Sequence, residues 1–330
     1  MCSILLSLSF LGCSVRKLAV NSIANALSSE ESLVFTGEDD PELVGDALPF
    51  ALKLYESLFE MAPDNSALAI ATGKAFSMYA FAFVQTPAER LGDSELDKKK
   101  RQMLRAKKLF LRGRKYAFTA LDLSYPGFSN QITTGSVDSA LQRVNLADTT
   151  MLYWAGISWM GAIMADKFDF IMLLGMKRAI KLIEKVASLN DGFGQGSIHD
   201  FYISYYGGLP ESMGGSEEKA RYHFKKAVEL SGGKLAGPYL SLATSVSVNK
   251  QDADEFTQLC KKALSVDVRE RNANRLVNIL SRRKAQWLLD HIDEYFLLDE
   301  PEPEETEPES ESESPINQET ESVPDTTQSE

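Results

Sequence analysis

Several stretches of this chain end in the same way. ALPFALKLYESLFEMAPDN, AIKLIEKVASLNDGF, ARYHFKKAVELSGGK and FTQLCKKALSVDVRE each set a small or aromatic residue early. Each then places Lys or Glu around Ala or Leu and closes on a polar stop. Apolar residues recur three and four apart, the spacing of a helix with one buried face. No stretch alternates as a half-buried strand does. A helix with a single apolar stripe cannot bury it alone, so such units must stack on their neighbours. The expected fold is therefore all-α.

The later endings give a spacing. Asn190 to Ser231 is 41 residues, and Ser231 to Asp267 is 36. Both lie near the 34-residue helix–turn–helix unit of tetratricopeptide arrays. The earlier endings, near Pro63 and Pro126, are about twice as far apart, so the repeat is degenerate or expanded. The chain is expected to be an array of antiparallel helix pairs, a TPR-like α-solenoid or superhelical bundle, over residues 35–298. A generic helical bundle is the alternative.

Local signals place some elements. Asp40-Pro41 is a helix start, with Asp as N-cap and Pro at the first helical position. That helix runs to about Met61 and stops at Ala62-Pro63, with a kink or break expected at Pro49. MLYWAGISWMGAIMA, residues 151–165, is apolar nearly all round and reads as a central helix buried on most faces. Gly156, Ser158, Gly161 and Ala162 allow neighbours to come close. Trp154 and Trp159 are five apart and point in different directions. The glycine-rich stretches 192–196 and 207–215 fit no phosphate-binding pattern and read as loops, with Ser216 capping the next helix.

Charge divides the chain. The net charge of −12 belongs to a tail, residues 299–330, that holds 13 acidic and no basic residues. Glu, Pro, Ser and Thr alternate there with little to bury, so the tail is expected to be a disordered, solvating extension. The remainder is nearly neutral. Basic residues are not gathered with aromatics between them, so nucleic acid is not an expected partner.

Chemistry is sparse. His199, His223 and His291 show no metal-ligand spacing, and His199-Asp200 comes without a nucleophile motif. Glu38-Asp39-Asp40 lacks the ligand spacing of a calcium loop and suits a helix N-terminus. No catalytic residue, cofactor or metal site is expected. The cysteines, Cys2, Cys13 and Cys260, are too few for a disulfide framework.

The beginning of the chain bears on its compartment. Residues 4–12 form a short apolar, Ser-rich run, well under the ~20 residues that span a bilayer. Phe10-Leu11-Gly12-Cys13 is similar to a lipobox, in which a cysteine is acylated and becomes the first residue. Phe10 stands where Leu is usual, and no Lys or Arg precedes the run, as an upstream translation start would explain. The reading is a lipoprotein signal peptide at 1–12, lipidation of Cys13, and a tethered segment with a first helix at 13–34. The alternative is an amphipathic first helix with Cys13 buried. No other stretch is expected to span a membrane.

Five stretches in order carry a resemblance: FTGEDDPELVGDALPFALKLYESLFEMAPDN, LYWAGISWMGAI, GGSEEKARYHFKKAVEL, GPYLSLATSVSVNKQDADEFTQLCKKAL and RLVNILSRRKAQWLL. From about Phe35 to Phe296 the chain resembles the TRAP-transporter T-component family (TatT), helical lipoproteins with degenerate TPR-like repeats. The resemblance implies a non-catalytic, lipid-anchored periplasmic protein. It further implies a homo-trimer with a pore or cavity in each subunit. The implied partner is the solute-binding protein (P component, DctP-like) of a tripartite ATP-independent periplasmic transporter. A small hydrophobic or carboxylate ligand would pass between the two. Asp39, Asp40, Pro41 and Glu42 match the family's acidic-proline motif and are candidates for a partner surface or pore mouth, with helix capping as the alternative. Tyr153, Trp154, Trp159 and Tyr205 are candidates for an aromatic lining, with core packing as the alternative. A TPR-like envelope scaffold without a small ligand is the competing function.

Overall fold

The computed structural model describes residue 22 and residues 32–297. Cys13, the segment before it, and the acidic tail from 299 lie outside the described residues. So does most of the expected first helix. Among the described residues there is no strand.

The helices follow one another with short connections. They are α1 (Pro41–Met61), α2 (Ser66–Glu89), α3 (Leu96–Ser124), α4 (Phe128–Thr133), α5 (Val137–Leu141), α6 (Thr149–Ala165) and α7 (Phe170–Leu173). Then come α8 (Met176–Leu189), α9 (Phe193–Gly208), α10 (Glu217–Ser231), α11 (237–250), α12 (Ala253–Leu264) and α13 (Arg275–Asp290). The fold is all-α, a packed array in which α2 lies on α3, α3 on α6, α6 on α8, and α9 on α10. Beyond these, α11 packs on α9, α12 on α11 and α13 on α12. The last helix also reaches the first: α13 packs on α1, and Leu276 of α13 shares a core with Val44, Leu48, Phe76 and Phe110.

The helix starts explain themselves. Asp40 accepts from the Leu43 amide at 3.0 Å, with Pro41 at the first helical position, as the sequence implies. Asn65, Ser216 and Asp252 cap α2, α10 and α12 in the same way. Each such cap contributes roughly 1 kcal/mol.

The expected kink or break at Pro49 is not a break. The helix continues from Pro41 to Met61 through Pro49, which is solvent-exposed. The carbonyl that Pro49 leaves unpaired is that of Gly45, four residues earlier, where the absent Cβ leaves room for the ring of Phe83. Pro87 acts more strongly. The turn before it, Ala80–Gln85, widens to π-helical hydrogen bonding, which accommodates a proline inside α2.

By length and composition alone α2 is long and apolar enough to cross a membrane, a test that a buried core helix also passes. It is sandwiched between α1 and α3, and Leu68, Ala69, Phe76, Ala80 and Val84 are buried. Its apolar character serves a protein core.

The central helix α6 behaves as its sequence implies. Leu152, Ala155, Gly156, Ser158, Trp159, Ala162 and Ile163 are all buried. A Cβ on Gly161 would meet the Phe110 ring at 2.6 Å, and one on Gly156 would meet Ile183 at 2.7 Å. The small residues thus set how closely α3 and α8 approach.

Candidate functional site

Two regions gather the candidate residues: the joint that closes the array, and the face that this closure turns inward.

The joint is built by the acidic-proline motif. Arg275, at the start of α13, lies 2.6 Å from Asp39 and donates its Nε to the Val268 carbonyl at 2.9 Å. The Leu276 amide donates to the Thr36 carbonyl at 2.9 Å. Arg283 holds both oxygens of Glu42, which lowers the Glu42 pKa, and the same pairing raises that of Arg283. Asp40 caps α1 and Pro41 is buried beneath it. Asn274 donates to Gln195 at 2.8 Å, tying the joint to the turn that opens α9. In that turn Gly194, Gln195 and Gly196 all have positive φ. Gln195 takes a conformation usually left to glycine, at a cost of order 1–3 kcal/mol.

One turn further along α9 stands Asp200. It lies deep among other residues yet keeps part of its surface accessible. Its Oδ1 is buried without a hydrogen-bond partner. Burial pushes its carboxyl up to about 6, against the opposing influence of Ser241 on α11 and Lys284 on α13. Lys284 in turn is 3.6 Å from Glu89 of α2. Tyr153 of α6 has the same character: deep, partly accessible, its pKa raised by burial and then by Asp200, and eased by Ser197. Residues from α2, α6, α9, α11 and α13 therefore share one polar inner face. A carboxyl group poised near neutrality there can donate or accept a proton or a hydrogen bond.

The aromatic candidates separate. Tyr153 and Trp154 meet edge to face at 5.4 Å, and Phe193 joins Tyr153 at 5.0 Å. Trp159 lies apart, buried against Phe118, with the Arg114 guanidinium 4.8 Å from the ring. Tyr205 belongs to another group on α9, stacked on Phe201 at 5.9 Å and touching Tyr206.

That last group holds a pair the sequence reading did not find. His199 on α9 and His223 on α10 put their Nδ1 atoms 2.8 Å apart, so one ring donates to the other. Tyr202 and Tyr206 lie against His223. His199 Nε2 is 3.2 Å from Asp191 but is not aligned to donate to it. Burial first, then His199, lowers His223 to about 4, with Lys219 adding to this and Asp191 opposing it. The two histidines are 24 residues apart on consecutive helices, and that spacing was the available signal. Among the described residues no group of three His, Cys, Asp or Glu side chains is arranged to hold a metal. Cys260 is buried and free, and burial pushes its thiol up to about 12.

Comparison with known proteins places this architecture. An uncharacterized protein of Treponema pallidum (strain Nichols) is 30% identical over 302 residues, covering 87% of this chain and 94% of that one. The model of the TRAP transporter T-component family matches residues 37–296, which run from the closing joint to the end of the last described core. By that match the chain belongs to the TRAP transporter T-component family, and its role is that of a transport-associated component.

Proposed function

We propose that this chain is a non-catalytic periplasmic lipoprotein, tethered through Cys13, that docks the solute-binding protein of a TRAP transporter. In this reading it acts as a homo-trimer and passes a small hydrophobic or carboxylate ligand along its inner face. The observation that carries the reading is the family match over nearly the whole described fold. The inner face adds a physical reason. Tyr153 and Trp154 offer an apolar wall, while Lys284 and the near-neutral Asp200 offer a polar end. Small ligands are held by mostly apolar surface with a few placed polar groups, and this face offers both kinds of contact. The acidic-proline motif then has an indirect part: Asp39 and Glu42 hold the array closed around that face.

Co-purification of the full chain with the solute-binding protein of its transport system tests this. A stable complex supports it. Separate elution of the two proteins, with neither retaining the other, would favour the scaffold reading instead.

A further inference from the structure

The loop between α6 and α8, DKFDFIMLLGMK, gathers several exposed large apolar side chains. Phe168 is 87% exposed, Phe170 76%, Ile171 82% and Leu174 82%. Four large apolar side chains within seven residues stand clear of the body, a concentration that scattered surface residues do not reach.

The loop is held firmly at its base. Lys107 of α3 bridges Asp166 at 2.8 Å and Asp169 at 2.6 Å. Asp169 also accepts from the Met172 amide at 3.0 Å. Met172 and Leu173 turn inward onto the main core. On the exit side Gly175 lies flat on the Trp159 indole, where a Cβ would sit 2.4 Å from the ring. The tip is therefore presented by fixed contacts.

Positive charge is in slight excess around the tip: Lys107 bridges Asp166 and Asp169 and offsets one of them, while Lys167 and Lys177 are exposed beside the apolar side chains. Arg178 adds a further positive charge at the base, where it donates to the carbonyls of Ile132 and Gly135. An apolar tip flanked by two exposed lysines complements the boundary between acyl chains and anionic headgroups. On an anionic membrane each such lysine strengthens binding roughly fivefold.

We infer that residues 168–174 form a membrane-contacting tip that inserts Phe168, Phe170, Ile171 and Leu174 into an anionic lipid surface. This contact is separate from any acyl chain at Cys13 and from docking of a solute-binding protein.

The test uses the full chain with Cys13→Ser, so that acylation cannot contribute. Its partitioning is measured on phosphatidylcholine vesicles with and without phosphatidylglycerol. The parent should bind the anionic vesicles and bind the neutral ones more weakly. Replacing Phe168, Phe170, Ile171 and Leu174 together by Ser should reduce binding at least tenfold, and Lys167→Glu with Lys177→Glu should remove the preference for phosphatidylglycerol. A quadruple variant that partitions like the parent overturns the inference. So does a variant that dissociates an oligomer in native mass measurement while lipid binding is unchanged, because a second copy then covers the tip. Should the quadruple variant fold poorly, Phe170→Trp gives a second reading. Its emission should shift blue and be quenched by brominated acyl chains, and emission unchanged by vesicles contradicts insertion.

Discussion

The seam between α2 and α3 and the joint between α1 and α13 both bring two helices together, but with opposite chemistry. At the first, Gly113 lets the backbones meet: a Cβ there would lie 2.1 Å from the Ser77 hydroxyl and 2.9 Å from the Gly73 carbonyl. Ser77 continues inward to Ser158 of α6 at 2.6 Å, and everything there is buried. At the second, arginines reach across an accessible surface to Asp39 and Glu42, around a small shared core at Leu276. Close-packed buried contact has no slack, so its strength depends on shape. Exposed ion pairs are weak because water and salt compete with them. The array is therefore strong along its length and weaker where it closes.

Three perturbations sharpen this contrast. The largest effect belongs to the seam. Gly113→Leu forces a side chain between α2 and α3 and should destabilise the fold by about 3 kcal/mol, read as a lowered thermal midpoint. An unchanged midpoint would mean that the helices are not in register as described.

Next in size is the histidine pair on α9 and α10. The His223 pKa falls from 6.5 in the unfolded chain to about 4 in the fold. Between those values the unfolded state binds more protons, so stability falls as pH is lowered from 6.5 towards 4. Above pH 6.5 this contribution to the pH dependence vanishes. Discounted for the partial exposure of the ring, the loss amounts to about 2 kcal/mol. Denaturant melts across that range should show it, and His223→Phe should flatten the slope. An equal slope in both proteins would place the acid sensitivity elsewhere.

The smallest effects belong to the joint. Arg275→Ala removes the Asp39 pair and the hydrogen bond to Val268, and should cost about 1 kcal/mol. Arg283→Gln acts on a pair exposed at both ends and should leave the thermal midpoint where it is. If either variant destabilised the protein as much as Gly113→Leu, the ranking of seam over joint would be reversed.

The fold was legible where physics is local. Asp40-Pro41 and Ala62 mark the ends of α1 because capping and proline geometry act within a few residues. The uniform apolarity of 151–165 marks α6 because a helix buried on most sides needs no polar face. What escaped depends on distant partners. Asp39 and Glu42 read as cap residues or partner surface, and their arginines lie more than 230 residues away. His199 and His223 looked scattered until the turn between α9 and α10 brought them together. The apolar loop at 168–174 carries no periodicity to say that its side chains face outward. Of the aromatic candidates, Tyr153 and Trp154 adjoin the inner face, Trp159 supports the apolar tip, and Tyr205 sits beside the histidines.

The central claim, membership of a working transport assembly, is tested most directly by weighing it. The full chain and the solute-binding protein of its system can be mixed and measured by native mass spectrometry. The account predicts a species containing three copies of this chain with solute-binding protein attached. Only the separate, unassociated proteins in the spectrum would contradict it.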